Sequence, residues 1–428
     1  MRSTVTKRRA LMLAASVGVI ALGLAGCARG ETPSGDNTEA ASPGITDTTI
    51  TIGIDTPLTG TTAGPGNCTA DGALAYFGTQ NDANGGITFG DGKTRKVEIK
   101  KYDDQYDPAK ASANFQQAVS DGVFAMAFGL GTPTNNAWKQ AAQDAGVPQV
   151  LIMTGDPGFD DVSSDPTAIG LVPKYQDEGE AMGKLLASDS APHKVAIIEQ
   201  NDDYGKGYVE GFKAGIEGAS NITIVSDKTY EPTDTSLDTQ IQASADAGAD
   251  VLFNAVSVTP LVVGELQKAQ AIGWKPSWFM PSNTSSPSGV LTPGGAVDAS
   301  GNSVYPGIYS VAFSAVPAAP TFAALPNAQA FLDGVKKYGT QTGTPDFPHC
   351  VWSWIGAEIM AKAFETMKEP TRDAFMTALR SVKGSDFDFM LDGTSVDATQ
   401  DGSPAISSVV VQKFNGKGYA TVTAYPGS

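Results

Sequence analysis

Acid–base hydrolysis needs two carboxylates facing one bond, and Asp103, Asp104, Asp202 and Asp203 each fall at the end of an expected strand. An extracytoplasmic hydrolase built on them is one reading; the other is that they are acids at helix N-termini, where the helix dipole favours them. His349 directly precedes Cys350, which would suit a reactive thiol or, equally, a helix-capping histidine beside a structural disulfide. No nucleophile-elbow pattern is present. Phe89-Gly90-Asp91-Gly92-Lys93-Thr94 ends like a phosphate loop, but the loop's first glycine would fall at Ile87, so the segment reads as a turn before a strand. Residues 397–402 lack the alternating ligands of a calcium loop and read as a hairpin turn. His193, His349, Cys68 and Cys350 have no close ligand spacing, so neither a metal nor another cofactor is expected. The glycosylation-type triplets at Asn67, Asn221 and Asn283 read as chance.

Leu24-Ala25-Gly26-Cys27 is a different kind of chemical signature, a lipoprotein processing box. Arg2, Lys7, Arg8 and Arg9 precede an apolar stretch too short to span a bilayer, which predicts a signal peptide over 1–26 and lipidation of Cys27. The polar, Pro/Gly/Ser/Thr-rich residues 27–47 then form a tether. This implies a protein anchored by its lipid to the extracytoplasmic face of a bacterial cell membrane. The formal charge of −17, more negative still without the four leader cations, disfavours nucleic acid and anionic lipid surfaces as partners. With Cys27 lipidated, Cys68 and Cys350 are left in an oxidising compartment and are expected to pair.

The elements that must position these residues alternate. Apolar β-branched runs at 49–54, 96–102, 123–128 and 147–153 are separated by helical periods at 71–83, 108–121 and 135–145. A second series has strands at 194–199, 222–230, 251–255 and 277–280, with helices at 176–188, 208–217, 237–247 and 260–272. Late helices at 349–367 and 371–381 return to one of the two. The expected fold is α/β, with two doubly wound parallel-sheet lobes whose strand ends face one cleft.

Ile52-Gly53-Ile54-Asp55-Thr56-Pro57-Leu58-Thr59-Gly60, Asn81 to Ile87, and Tyr102-Asp103-Asp104-Gln105-Tyr106-Asp107-Pro108 resemble the opening of the branched-chain amino acid binding proteins, the type I solute-binding proteins of ABC importers. Asp144 to Pro148, Asn201 to Gly207 and Gln267 to Gly273 continue the resemblance in order. It implies lobes joined by a three-crossover hinge: 48–172 plus 308–385 as lobe one, 173–307 plus 386–428 as lobe two. It also implies capture of a small organic solute (amino acid, amide or related compound) by a monomer, no catalysis, and delivery to ABC permease subunits in the membrane. A sensor of the same fold is the alternative.

By the same resemblance, the loop Gly131-Thr132-Pro133-Thr134 grips a ligand carboxylate with hydroxyl and backbone groups, and Met153 and Thr154 lie in a second gripping loop. Tyr204 matches the aromatic that closes over the ligand. The chain departs from relatives in three places: Pro65 and Asn67 lie in an entry loop without the usual aromatic, Val258 lies where another aromatic is expected, and Ser282-Asn283 replaces the carboxylate that pairs a ligand ammonium. Cys68 and Cys350 both fall in lobe one, and of Trp352 and Trp354 one is a candidate for the pocket lining and at least one is expected in the core.

Overall fold

The computed structural model describes residues 40–319, 321–340 and 345–425. The expected signal peptide, Cys27 and most of the tether lie outside the described residues. Among those described, no helix is long and apolar enough to cross a membrane.

The first sheet contains β1 (Thr49–Thr56), β2 (Ile87–Thr88), β3 (Thr94–Asp103), β4 (Ala125–Ala127), β5 (Gln149–Ile152) and β6 (Ala168–Gly170), in the order β2-β3-β1-β4-β5-β6. Strand β1 shows why these residues form a central strand. Its β-branched alternation puts Ile50, Ile52 and Ile54 on one face, all fully buried, and parallel pairing with β3 and β4 uses its backbone groups on both edges. The second sheet contains β7 (His193–Gln200), β8 (Ile222–Tyr230), β9 (Val251–Ala255), β10 (Ser277–Met280) and β11 (Ile308–Ala312). After a two-residue pair, β12 (Lys383–Gly384) and β13 (Val396–Asp397), the antiparallel β14 (Val409–Phe414) and β15 (Tyr419–Tyr425) complete it in the order β15-β14-β11-β10-β9-β7-β8.

Helices α1 (Ala63–Asn84), α2 (Pro108–Ser120), α3 (Thr132–Asn136), α4 (Lys139–Ala145), α9 (Ala328–Tyr338), α10 (His349–Thr366) and α11 (Arg372–Leu379) accompany the first sheet, and α5 (Tyr175–Ala187), α6 (Asp203–Gly215), α7 (Asp238–Asp246) and α8 (Thr259–Ala271) the second. Fourteen of the eighteen residues of α10 are buried, so it is a core helix, apolar all round. It lies so close to α1 that a Cβ on Gly72 would stand 1.9 Å from the Cys350 carbonyl oxygen. The disulfide Cys68–Cys350 joins the same two helices, with Cα atoms 4.4 Å apart.

Two expected boundaries move. Residues 308–312 belong to the second sheet, because Ile308–Ala312 pairs with β10 and β14. Residues 386–408 do not belong wholly with it: Phe387, Phe389, Val396, Ala398, Ala405 and Ile406 are buried in the first lobe's core, and the second sheet regains the chain only at β14. The expected helix 135–145 is two helices, with Trp138 at φ −125° between them. The expected helix 208–217 begins earlier, at Asp203, because the Asp202 side chain accepts from the Tyr204 and Gly205 N–H groups as an N-cap. Helix α1 likewise starts at Ala63, so the entry residues Pro65 and Asn67 are helical.

Helices α5 and α6 meet through glycine. A Cβ on Gly211 would lie 2.0 Å from the Gln176 carbonyl oxygen, and one on Gly179 would lie 2.2 Å from that of Tyr208. Backbone cannot yield there as a flexible side chain could. Gly211→Ala should therefore destabilise by about 1–3 kcal/mol despite alanine's better helix propensity. A lower urea midpoint with unchanged m would show this; an unchanged or higher midpoint would refute it.

Candidate functional site: the interlobe cavity

A narrow cavity lies between the lobes where the loops leaving β4, β5, β9 and β10 converge. That is the carboxyl-end position at which open α/β sheets bind ligands. Lobe one supplies Thr62 and Pro65 around the start of α1, Tyr106, Leu130, Gly131, Thr132, Met153, Val172, and His349 and Trp352 from α10. Lobe two supplies Tyr175 and Glu178 from α5, Tyr204 and Tyr208 from α6, Ser257, Ser282 and Asn283. No lysine or arginine is among these lining residues.

The lobes touch across the cavity through hydroxyl groups. The Tyr175 hydroxyl lies 2.9 Å from Thr132 Oγ1 and 3.1 Å from Thr154 Oγ1, which are themselves 2.8 Å apart. Tyr106 Oη is 3.4 Å from Ser257 Oγ. Tyr106 sits at φ 61°, directly after Gln105 at 55°, a left-handed pair that is costly for residues with side chains. The turn is held by carboxylates: Asp103 accepts from Gln105 N–H, and Asp104 accepts from Tyr106 N–H at 2.7 Å. Burial pushes Asp104 up to about 7 and the Tyr106 hydroxyl up to about 12.

Three tyrosine rings form one cluster, with Tyr175, Tyr204 and Tyr208 separated by 4.7 to 5.0 Å between centroids. Tyr204 Oη donates to Asn283 Oδ1 at 3.1 Å. Glu178 is 1 % exposed. Its Oε2 accepts from Tyr208 Oη at 2.6 Å and Ser282 N–H at 3.2 Å, and its Oε1 accepts from Ser282 Oγ at 2.8 Å. Loss of hydration raises its carboxyl to about 7 against those donors. Opposite, the His349 ring packs 4.6 Å from Trp352, is 1 % exposed, and has no partner for Nδ1; burial lowers it to about 3, so it is neutral.

Of the residues expected at the site, Pro65, Thr132, Met153, Tyr204 and Asn283 line the cavity together. Thr154 stands behind Thr132 as a hydroxyl partner. Asn67 instead ties its side chain to the Leu58 and Ala63 carbonyls, and Thr134 bonds back to Leu130 and Gly131. Pro133 occupies the first turn of α3, and Val258 packs in the second lobe's core beside a separate groove. His349 makes no side-chain cap. The four strand-end carboxylates do not line the cavity: Asp103 accepts from Leu58 N–H, Thr59 N–H and Thr59 Oγ1, Asp104 braces Tyr106, Asp202 caps α6, and Asp203 is exposed in its first turn. Glu178, Tyr175, Tyr208 and His349 were missed. The only sequence signal for Glu178 was an acid near a helix start, which ordinarily means dipole compensation.

The family described as periplasmic binding protein matches residues 49–418. A Leu/Ile/Val-binding protein homolog 3 from Brucella melitensis biotype 1 is 30 % identical over 210 residues, 48 % of this chain and 53 % of that protein. The Leu/Ile/Val-binding protein BraC3 of Rhizobium johnstonii is 27 % identical over 180 residues, 42 % and 47 % of the two chains. The chain thus spans about half the length of the curated relatives it matches. Among solved structures, a fatty acid ABC transporter substrate-binding protein from Thermomonospora curvata shares the fold with a TM-score of 0.74 at 21 % identity, over 91 % of this chain and 95 % of that one.

Proposed function

Because the chain belongs to the periplasmic binding protein family, we propose that it captures a small organic solute, an amino acid, amide or related compound, between its lobes and presents it to an ABC permease. The family is one of binding proteins, and the role is non-enzymatic. Attachment to the extracytoplasmic face of the membrane through a lipid on Cys27 completes the proposal. The observation that carries it is that both lobes contribute side chains to one cavity at their strand ends. A solute touching both lobes favours their closed arrangement, whereas one touching a single lobe leaves the open–closed balance unchanged. Thr132, Met153 and Pro65 would contact it from lobe one, and Tyr204 and Asn283 from lobe two. The names of the relatives and of the structural neighbour point to different solutes, Leu/Ile/Val and fatty acids, so this cavity's own chemistry must decide.

The test is a thermal-shift screen against amino acids, amides, urea, aromatic acids and small sugars. At about 1,000 times its dissociation constant a solute should stabilise the chain by roughly 4 kcal/mol. Thr132→Ala together with Tyr204→Ala should weaken that solute at least tenfold, since two hydrogen-bonding side chains at about 1 kcal/mol each are lost. Unchanged affinity in a folded double variant would remove the cavity from this role.

A further inference from the structure

We propose that Glu178 anchors a cationic nitrogen of the solute, so that the cargo is an amine-bearing compound with an apolar body. This rests on the cavity being the solute site. Glu178 reaches the cavity wall from lobe two. Its three hydrogen bonds come from groups arranged as donors, Tyr208 Oη, Ser282 N–H and Ser282 Oγ, a shell suited to an ionised carboxylate. An ionised carboxylate has about four acceptor positions. Two are used on Oε2 and one on Oε1, so one remains on Oε1 for a further donor. The charge has donors but no counterion: the nearby charged group acting on it is Asp177, of like sign, and no lysine or arginine lines the cavity. A buried charge is tolerated when it is both hydrogen-bonded and paired, and the missing half of that pair is what a protonated amine brings.

Independent features of the same cavity agree. His349 holds an unpartnered buried Nδ1, a hydrogen-bonding position that a solute polar group can fill. Tyr106, Tyr175, Tyr204 and Tyr208 surround the site with Trp352, ring chemistry that attracts a cation and covers an apolar body. A solute whose only charge is a carboxylate finds the opposite: no cation to meet it, and Glu178 to repel it. The departure at Ser282-Asn283 becomes intelligible, because Ser282 orients a carboxylate delivered from α5 in place of one delivered from its own loop.

The experiment titrates the full mature chain calorimetrically with matched pairs that differ by the amine: leucine against 4-methylpentanoate, and 2-phenylethylamine against phenylacetate. The expected result is that in at least one pair the amine binds and its partner binds at least 30-fold more weakly, and that Glu178→Gln weakens the amine at least tenfold. Equal or tighter binding of the amine-less partner overturns the inference, as does unchanged amine affinity in Glu178→Gln or the absence of binding by either amine. The pair comparison needs no variant, so it remains decisive if Glu178→Gln does not fold. Solute capture fails separately, through unchanged affinity in the Thr132→Ala, Tyr204→Ala chain.

Discussion

Removing the Cys68–Cys350 bridge should lower the stability of the folded chain by about 5 kcal/mol, the largest effect expected of any small change here. The half-cystines are 282 residues apart, and in chain-entropy treatments the constraint on the unfolded ensemble grows with the logarithm of the closed loop. Both cysteines are fully buried, so the comparison is best made between the oxidised chain and Cys68→Ala with Cys350→Ala, by urea unfolding. Two thiols that react with a blocking reagent in the folded, oxidised chain, or an unchanged midpoint in the double variant, would contradict it. Binding should suffer as well, since the bridge fixes the first turn of α10, which presents His349 and Trp352 to the cavity.

Solute-free protein should lose stability as the pH rises from 5 to 8, on the order of 3 kcal/mol or more. Burial raises Glu178 to about 7 and Glu265 to about 8, and Glu265 accepts a hydrogen bond from the neutral Asn254. A carboxyl whose folded value exceeds its unfolded value near 4.5 holds its proton more tightly in the native state. Its stabilising contribution is complete below about pH 4.5 and declines as pH climbs through the folded value. Each tenfold difference in proton affinity is worth about 1.4 kcal/mol. Asp104 and Asp160, each raised to about 7 by burial, act in the same direction. Urea midpoints at pH 5, 6.5 and 8 would measure the slope, and Glu265→Gln should flatten it. A midpoint that climbs toward pH 8 would refute the account.

The alternating lobes were legible because their strands and helices carry clear periods; β1, with its every-other isoleucine, is the plainest case. The bridge was legible from counting cysteines and assigning a compartment. What escaped depends on partners distant in sequence. Ala63-Gly64-Pro65-Gly66 reads as a loop, yet it opens a helix because Gly66 lets the backbone approach Pro57, whose carbonyl oxygen would lie 2.0 Å from a Cβ. The five-residue strand β11 is too short to stand out, whereas α9 carries a helical period, with Ala328, Phe331 and Val335 on one buried face, that the sequence analysis passed over; the lobe boundaries shifted with them. At the site, the loops after the strands bring Thr132, Met153 and Asn283 to the cavity wall, because a turn after a parallel strand has one direction to go. Side chains reaching it from α5 and α6 had no such guide, and whether Glu178 faces water or a cavity is settled by the glycine-lined contact between those helices.

The return of residues 387–406 to the first lobe's core bears on the order in which the chain comes together as it is made. The strands β7 to β11 occupy one continuous stretch, so most of the second lobe can assemble early from near neighbours and needs only its final hairpin. The first lobe has the reverse schedule. Its sheet emerges first, but α10, which covers that sheet, follows some 180 residues after β6, and contacts so distant in sequence are slow to form. Until then the apolar face of β1 has no native cover from α10, and Cys68 must wait without its partner, so the first lobe's core and its bridge are the last parts to close.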